Sequence, residues 1–116
     1  MKNKAYYLST CDTCKRILKE LNLPNSFELQ DIKFDKITLE QLEEMRSMTD
    51  SYESLLNKRA RKYGEYKTQD LSEEDLKNLI LEEYTFLKRP VFIFENQIFI
   101  GNSKKVVEQL KQLLLV

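Results

Sequence analysis

The stretch "KAYYLSTCDTCKRIL", residues 4–18, contains both cysteines of the chain, separated by two residues. Its first five residues, 4–8, are rich in aromatic side chains and predict a short strand that ends before Ser9. Four apolar residues then recur at the spacing of one helix face. They are Cys14, Ile17, Leu18 and Leu21. The cysteine pair is therefore predicted to lie at a junction between a strand and a helix.

The segments after this junction continue the alternation of strand and helix. Residues 26–32, "SFELQDI", alternate between apolar and polar side chains and predict a second strand. Thr38 and Gln41 have the spacing of a capping box, which predicts the start of a helix. Residues 51–66 predict one or two short helices, broken near Gly64, and Ser72 opens a further helix. The side chains expected to face inward here are Leu39, Leu42, Met45, Leu76, Leu79, Ile80 and Tyr84.

The last part of the chain predicts a hairpin and a helix. "VFIF" and "IFI" flank "ENQ" within residues 91–100, and Asn96 suits a tight turn. A helix then follows Ser103, with Val106, Val107, Leu110, Leu113 and Leu114 expected to face inward. The order β-α-β, a helical middle and β-β-α predicts an α/β fold around a mixed four-stranded sheet, in a single domain.

Composition limits the classes of partner. The 19 basic residues balance 19 acidic residues, so we expect no direct binding of nucleic acid and no membrane partner. The longest apolar runs, "VFIF" and "LLLV", are too short to cross a bilayer. The first residues lack the apolar core of a signal peptide, so we expect a cytoplasmic protein.

The position of the two cysteines predicts different roles for them. Backbone N–H groups at a helix N-terminus stabilise a thiolate and lower the thiol pKa from about 8.5. Cys11 is predicted at the mouth of the helix, as an exposed attacking thiol, and Cys14 within the apolar stripe, as a buried resolving thiol. Lys15 and Arg16 add positive charge nearby, whereas Asp12 opposes thiolate formation.

Two other interpretations of the pair remain open. A structural zinc site takes four ligands, and the chain has no His and no third Cys, so carboxylates or a second subunit would have to complete it. Alternatively, both cysteines are unreactive thiols of the core. A redox or nucleophilic role is favoured, and no metal is predicted. With two glycines there is no phosphate-binding or dinucleotide-binding glycine motif, so no bound cofactor is predicted either.

Four segments together resemble the arsenate reductase-like (ArsC/Spx/YffB) family of the thioredoxin-like superfamily. They are "CDTCKR", "LLNKRARKY", "LKRPVFIF" and "FIGNSKKVVEQL", in the family's order. The resemblance implies a thioredoxin-like fold, residues 1–116 as one domain, and a helical insertion at about 36–88 between the β-α-β and β-β-α halves. It also implies that Cys11 is the reactive cysteine and that Arg89 positions an oxyanion or thiol, before a cis-Pro90.

The arginines narrow the substrate that the resemblance implies. Well-characterised arsenate reductases of the family carry three arginines around the cysteine. One matches Arg89, the second falls at Asn57, and the third falls near residues 101–102, where no arginine stands. Arsenate is therefore disfavoured as a substrate. "NKR" is more similar to the YffB-like branch, which implies that Arg59 is the matching basic residue.

Solvated alternatives exist for these positions. Arg59 is equally interpreted as a charge on a helix face. Lys88 and Arg89 alone would be interpreted as a solvated basic pair, and Pro90 as the ordinary start of a strand.

The resemblance implies a thiol-dependent oxidoreductase with Cys11 as nucleophile and glutathione, glutaredoxin or thioredoxin as reductant. Glutathione is the candidate co-substrate. The predicted catalytic residues are Cys11, Cys14 and Arg89, and the predicted substrate-binding residues are Thr13, Lys15, Arg59 and Pro90. The alternative is an Spx-like redox-sensing regulator that binds RNA polymerase, although Ser51 stands where Spx proteins usually have glycine. A third interpretation is a family member that only binds a partner through its cleft.

Overall fold

The computed structural model describes residues 3–115. Within them the chain divides into two compact units. The first unit comprises residues 3–35 and 89–115, and the second comprises Lys36–Lys88. That the whole chain is one domain stays a prediction.

The first unit contains a mixed four-stranded sheet. Its strands are β1 (Asn3–Tyr7), β2 (Phe27–Asp31), β3 (Val91–Phe94) and β4 (Gln97–Ile100). Their order in the sheet is β2-β1-β3-β4. β1 and β2 are parallel, whereas β3 is antiparallel to both β1 and β4. The predicted α/β fold class is therefore confirmed, and the sheet has the thioredoxin-like arrangement.

Four α-helices accompany the sheet in the chain. They are α1 (Asp12–Leu21), α2 (Leu39–Ser47), α3 (Glu73–Glu82) and α4 (Lys104–Leu114). Two of them, α1 and α4, belong to the first unit, and α2 and α3 belong to the second. No helix among residues 3–115 has the length and apolar character that crossing a membrane requires.

The core of the first unit lies between the sheet and the two helices α1 and α4. Its buried residues are Ala5, Ile17, Leu21, Phe27, Phe92, Phe99, Val107 and Leu110. Phe94 adds a stacked ring at 5.7 Å from the ring of Phe27. A two-residue turn with positive φ at Glu95 and Asn96 joins β3 to β4, as the hairpin prediction required.

The inward set predicted for α4 was too wide. Val107 and Leu110 are buried, Val106 and Leu114 are part-buried, and Leu113 is exposed. Successive helix residues turn by about 100°, so Leu113 lies about 90° from the centre of the stripe that Val107 and Leu110 define. That angle places it at the margin of the buried face, which explains its exposure.

The helices of the second unit begin where the sequence predicts. Thr38 and Gln41 form the expected capping box of α2, with both hydrogen bonds at 3.1 Å. Ser72 and Asp75 form a second box at the start of α3. Two predicted inward residues are corrected: Leu39, in the first turn of α2, is exposed, and Tyr84 lies beyond the end of α3 in a short 3₁₀ helix, Tyr84–Phe86.

The segment 51–66 forms two short helices, within the prediction of one or two, but the predicted position of the break is wrong. It contains two 3₁₀ helices, Glu53–Leu55 and Arg61–Glu65, and Gly64 lies inside the second instead of breaking a helix. The interruption falls between them because Asn57 is held by residues distant in sequence. Its N–H donates to the carbonyl of Phe86 at 2.7 Å, and its side-chain amide donates to the carbonyl of Thr85 at 3.1 Å. These bonds override the local preference for helix.

Candidate functional site

The loop between β1 and α1 places Cys11 immediately before the first helical turn. The N–H of Cys11 donates to the carbonyl of Leu8 at 3.0 Å, which closes a tight turn after the strand. The carbonyl of Cys11 then accepts the N–H of Lys15 at 3.2 Å, the first hydrogen bond of the helix. Cys11 is thus the N-cap residue of α1, with extended backbone angles. This is the position at the helix mouth that the sequence predicts.

The two thiols differ in exposure. Cys14 is completely buried on the inner face of α1, as the helical spacing predicts. Cys11 is part-buried, so the prediction of an exposed thiol needs correction. The reason is that its sulfur is flanked by Cys14 and Arg89. Both cysteines are free thiols.

The pKa of the Cys11 thiol lies below its ordinary value. Partial burial acts to raise that pKa, but the backbone N–H and the thiol of Cys14 and the guanidinium of Arg89 outweigh it. The N–H of Cys14 belongs to the first turn of α1, where backbone N–H groups stabilise negative charge. The thiolate of Cys11 is therefore favoured relative to a free cysteine.

The Cys14 thiol has the opposite tendency. Burial raises its pKa to about 12, and although the N–H of Leu8 works against this rise, the neighbouring Cys11 sulfur adds to it. At neutral pH Cys14 is consequently a protonated thiol. A protonated thiol at this place donates its hydrogen to the sulfur of Cys11 and helps to hold the Cys11 thiolate.

Arg89 reaches the cysteine loop because of the sheet topology. β3 is antiparallel to β1, and Tyr6 is paired with Val91, so the residues just before β3 lie beside the end of β1. Pro90 is buried, and its carbonyl accepts the N–H of Gly101 at 2.9 Å. The Arg89–Pro90 peptide bond is cis, as the resemblance implies. The Arg89 side chain hydrogen-bonds the Cys11 sulfur, so it is not a purely solvated charge.

Three further residues are predicted to bind substrate, and they differ in exposure. Thr13 is part-buried in the first turn of α1, and Lys15 is exposed. Lys15 forms an ion pair with Asp12 at 3.8 Å, and such an exposed pair contributes little to stability. Arg59 is exposed in the Lys36–Lys88 unit, with its N–H bonded to the side-chain oxygen of Asn57. The roles of these residues stay predictions.

One polar residue near the cysteine loop was not anticipated. Asp31, the last residue of β2, accepts the N–H of Ser9 at 3.2 Å and that of Lys33 at 3.2 Å. A sequence signal for it did exist, since the carboxyl ends of two parallel strands in a β-α-β unit meet at one edge of the sheet. An acidic residue ending the second strand is therefore expected beside the loop that follows the first.

A metal-binding cluster is not evident in the described part of the chain. Within residues 3–115, no group of three or more Cys, Asp or Glu side chains is arranged to hold a metal ion. The sequence contributes no His to such a group.

Solved structures with the same fold cover nearly the whole chain. An ArsC family related protein from Bacteroides fragilis has 24% identity and a TM-score of 0.75, over 95% of this chain and 99% of that one. An arsenate reductase from Vibrio cholerae has 16% identity and a TM-score of 0.77, over 98% of each chain. A protein described as YFFB has 21% identity and a TM-score of 0.79, over 97% and 99%. These likenesses establish the thioredoxin-like fold.

Sequence comparison assigns the family. None of the curated proteins compared with this chain matches it. The sequence profile of the ArsC family, in contrast, matches residues 6–110, which include the cysteine pair and Arg89. The chain therefore belongs to the ArsC family.

Proposed function

We propose that the chain is a thiol-dependent oxidoreductase in which Cys11 is the nucleophile. The observation that carries this proposal is the contrast between the two thiols. The pKa of Cys11 is lowered beside Arg89, whereas the pKa of Cys14 is raised to about 12 by burial. A thiolate is the reactive form of cysteine, so Cys11 is the thiol that attacks first, and Cys14 stays protonated until the second step. Membership of the ArsC family supports the same class of chemistry.

The first step is an exchange between the Cys11 thiolate and a disulfide substrate. The Cys11 sulfur attacks one sulfur of the substrate, the substrate S–S bond breaks, and a mixed disulfide with Cys11 forms. The other half of the substrate leaves as a thiolate. The guanidinium of Arg89, which faces the Cys11 sulfur, stabilises the negative charge that is shared between the attacking and leaving sulfurs.

The second step releases the rest of the substrate. The Cys14 thiol transfers its proton to the departing thiolate and attacks the Cys11 sulfur, forming the Cys11–Cys14 disulfide. The substrate has then gained two electrons and one proton from the protein, and the thiolate released in the first step takes its proton from water. Two glutathione molecules, or one reduced glutaredoxin or thioredoxin, return the protein to the dithiol form. If glutathione itself attacks the mixed disulfide, Cys14 is not required.

A disulfide substrate suits this site better than arsenate. An arsenate ion carries more negative charge than a disulfide and needs several cationic donors to hold it. Arg89 is the one arginine that matches the family's set of three, because Asn57 stands at the second position and its amide is bonded to the carbonyl of Thr85. We assign Thr13, Lys15 and Pro90, the neighbours of the cysteine pair and of Arg89 in the sequence, to binding such a substrate. A role of Arg59 in binding stays a prediction.

The test is a turnover assay with matched cysteine variants. Wild type, Cys11→Ser and Cys14→Ser are compared with bis(2-hydroxyethyl) disulfide and glutathione, with glutathione disulfide followed through glutathione reductase and NADPH. A parallel series replaces the disulfide with arsenate and adds glutaredoxin. We expect turnover by wild type with the disulfide, none above background for Cys11→Ser, and a weaker reaction with arsenate.

The same variants distinguish the competing roles. Retained turnover in Cys14→Ser indicates that glutathione resolves the adduct, and lost turnover indicates that Cys14 does. If wild type shows no turnover beyond Cys11→Ser, the oxidoreductase proposal is wrong. Capture of RNA polymerase by the oxidised wild-type chain in that case would instead support the Spx-like regulator.

A further inference from the structure

The ends of two parallel strands bring an acidic side chain to the cysteine loop. β1 ends at Tyr7 and β2 ends at Asp31, and these two residues are paired in the sheet. The N–H of Ile32 donates to the carbonyl of Tyr7 at 2.9 Å, which continues the pairing for one further residue. The strands β1 and β2 therefore end side by side at the same edge of the sheet, and the loop after β1 runs beside the carboxylate of Asp31.

The Asp31 carboxylate binds this loop near its start, at Ser9. Its Oδ1 atom accepts the N–H of Ser9 at 3.2 Å and the N–H of Lys33 at 3.2 Å. The Ser9 hydroxyl also bonds the carboxylate. Two residues later, the N–H of Cys11 donates to the carbonyl of Leu8 at 3.0 Å. One side of the turn is thus tied to β2 and the other is tied across the turn itself.

The Cys11 sulfur depends on this arrangement because its stabilising contacts are directional. The N–H and thiol of Cys14 lie on α1, and Arg89 is joined to β3 through the buried Pro90, so both partners are held by parts of the first unit other than the loop. Cys11 itself lies in the loop, and a displacement of about 1 Å would lengthen all of these contacts together. Asp31 is the side chain that restrains the start of that loop.

We propose that Asp31 is a positioning residue that holds the loop of residues 8–11 so that the Cys11 sulfur lies against Cys14 and Arg89. It acts through Ser9 and touches neither thiol. The inference rests on the proposed function only in taking Cys11 as the reactive group.

The ionisation of Asp31 is consistent with this role. Partial burial acts to raise its pKa, but the hydroxyl and N–H of Ser9 and the N–H of Lys33 outweigh burial, so the pKa lies below its ordinary value. The carboxylate is therefore ionised at neutral pH, when it accepts these hydrogen bonds. Protonation in acid would weaken them.

Two physical accounts of Asp31 predict opposite effects on Cys11. If Asp31 acted only through its negative charge, removing it would lower the pKa of Cys11, because a nearby anion disfavours a thiolate. If Asp31 acts by positioning, removing it would raise the pKa of Cys11, because the thiolate loses its donors. The other charges beside Cys11, namely Arg89 and the paired Asp12 and Lys15, are unchanged in either case.

The experiment measures the rate of Cys11 alkylation by iodoacetamide across a pH series, with the site resolved by peptide mass spectrometry. The buried Cys14 serves as an internal reference that stays unreacted. In Asp31→Ala we expect a higher Cys11 pKa and alkylation at pH 7 slower by about threefold to tenfold, since one pKa unit changes the thiolate fraction about tenfold. In Asp31→Asn, which keeps an acceptor oxygen, the rate should stay within about twofold of wild type.

Asp35→Asn is the matched control, because it removes one exposed negative charge from the turn that follows Asp31 at the end of β2. It should leave the rate unchanged. If Asp31→Ala does not fold, Ser9→Ala removes one of the bonds to the carboxylate and should slow alkylation by a smaller factor. The proposal is overturned if alkylation of Cys11 in Asp31→Ala is as fast as in wild type or faster. The same holds for Ser9→Ala when that variant is used instead. It is also overturned if Asp31→Asn slows alkylation as much as Asp31→Ala does. Because alkylation needs no substrate, this experiment can succeed or fail independently of the turnover assay, so a failure of the positioning proposal can be told apart from a failure of the oxidoreductase proposal.

Discussion

Removing the buried thiol of Cys14 should make the stability of the protein less sensitive to alkaline pH. The folded chain raises the pKa of the Cys14 thiol to about 12, from about 9 in the unfolded chain. The folded state therefore keeps this proton in a range where the unfolded state releases it. A raised pKa in the folded state contributes stability that is complete below the unfolded pKa and is lost as pH rises through the folded pKa.

The expected size follows from these two pKa values. Between pH 9 and pH 12 the unfolding free energy falls by about 1.4 kcal/mol for each pH unit, because only the unfolded thiol ionises. From pH 8 to pH 10 the integrated loss is about 1.4 kcal/mol. Cys11 has the opposite sign, since its lowered pKa contributes stability that is present above the unfolded pKa and lost as pH falls.

The measurement uses a Cys11→Ser background, so that Cys14 is the one thiol that titrates. Urea unfolding of Cys11→Ser and of Cys11→Ser/Cys14→Ala is followed by circular dichroism at pH 8 and at pH 10, with the same reductant and salt. We expect Cys11→Ser to lose about 1.4 kcal/mol more than the double variant between the two pH values. Lysine and tyrosine titrations are common to both proteins and cancel in the comparison.

Equal losses in the two variants would refute this reasoning. That result would mean that the Cys14 thiol ionises in the folded state as easily as in the unfolded chain. Cys14 would then be a second thiolate beside Cys11, and it could not act as the hydrogen donor that the site requires.

Three further predictions concern other parts of the molecule. Arg89→Ala should raise the pKa of Cys11 and slow its alkylation at pH 7 by about threefold to tenfold, while Arg89→Lys keeps the charge and should recover part of the rate. Leu110→Ala should lower the free energy of unfolding by about 2–5 kcal/mol in urea titrations, whereas Leu113→Ala, on the exposed margin of the same helix, should cost less than about 1 kcal/mol. Thr38→Ala removes the capping box of α2 and should cost about 1 kcal/mol in the same measurement.

Much of the fold was accessible from the sequence because local signals and tertiary contacts agree there. The spacing of Cys14 and Ile17 places both on the buried face of α1, and the structure confirms it. The hairpin turn at Asn96 and the capping box at Thr38 also follow from local chemistry, since each requires only residues within one turn. These features need no knowledge of which strands pair.

The remaining features depend on pairing, which the sequence pattern does not encode locally. Arg89 contacts Cys11 because β3 runs antiparallel to β1. The residue pattern alone therefore favoured a solvated charge at Arg89, and only the family resemblance predicted its place near Cys11. Asp31 meets Ser9 because β2 is parallel to β1. Asn57 separates the two short helices of segment 51–66 through hydrogen bonds to Phe86 and Thr85, which lie far from it in the sequence. In each case a long-range contact decides the local structure.

The most direct test of the central claim is the pKa of the Cys11 thiol in the reduced wild-type protein, measured by site-resolved alkylation across a pH series. The contacts of Cys11 with Cys14 and Arg89 predict a value below about 8.5, the ordinary value for cysteine, with Cys14 unreactive over the same range. A Cys11 pKa at or above about 8.5 would contradict the claim that the site activates this thiol.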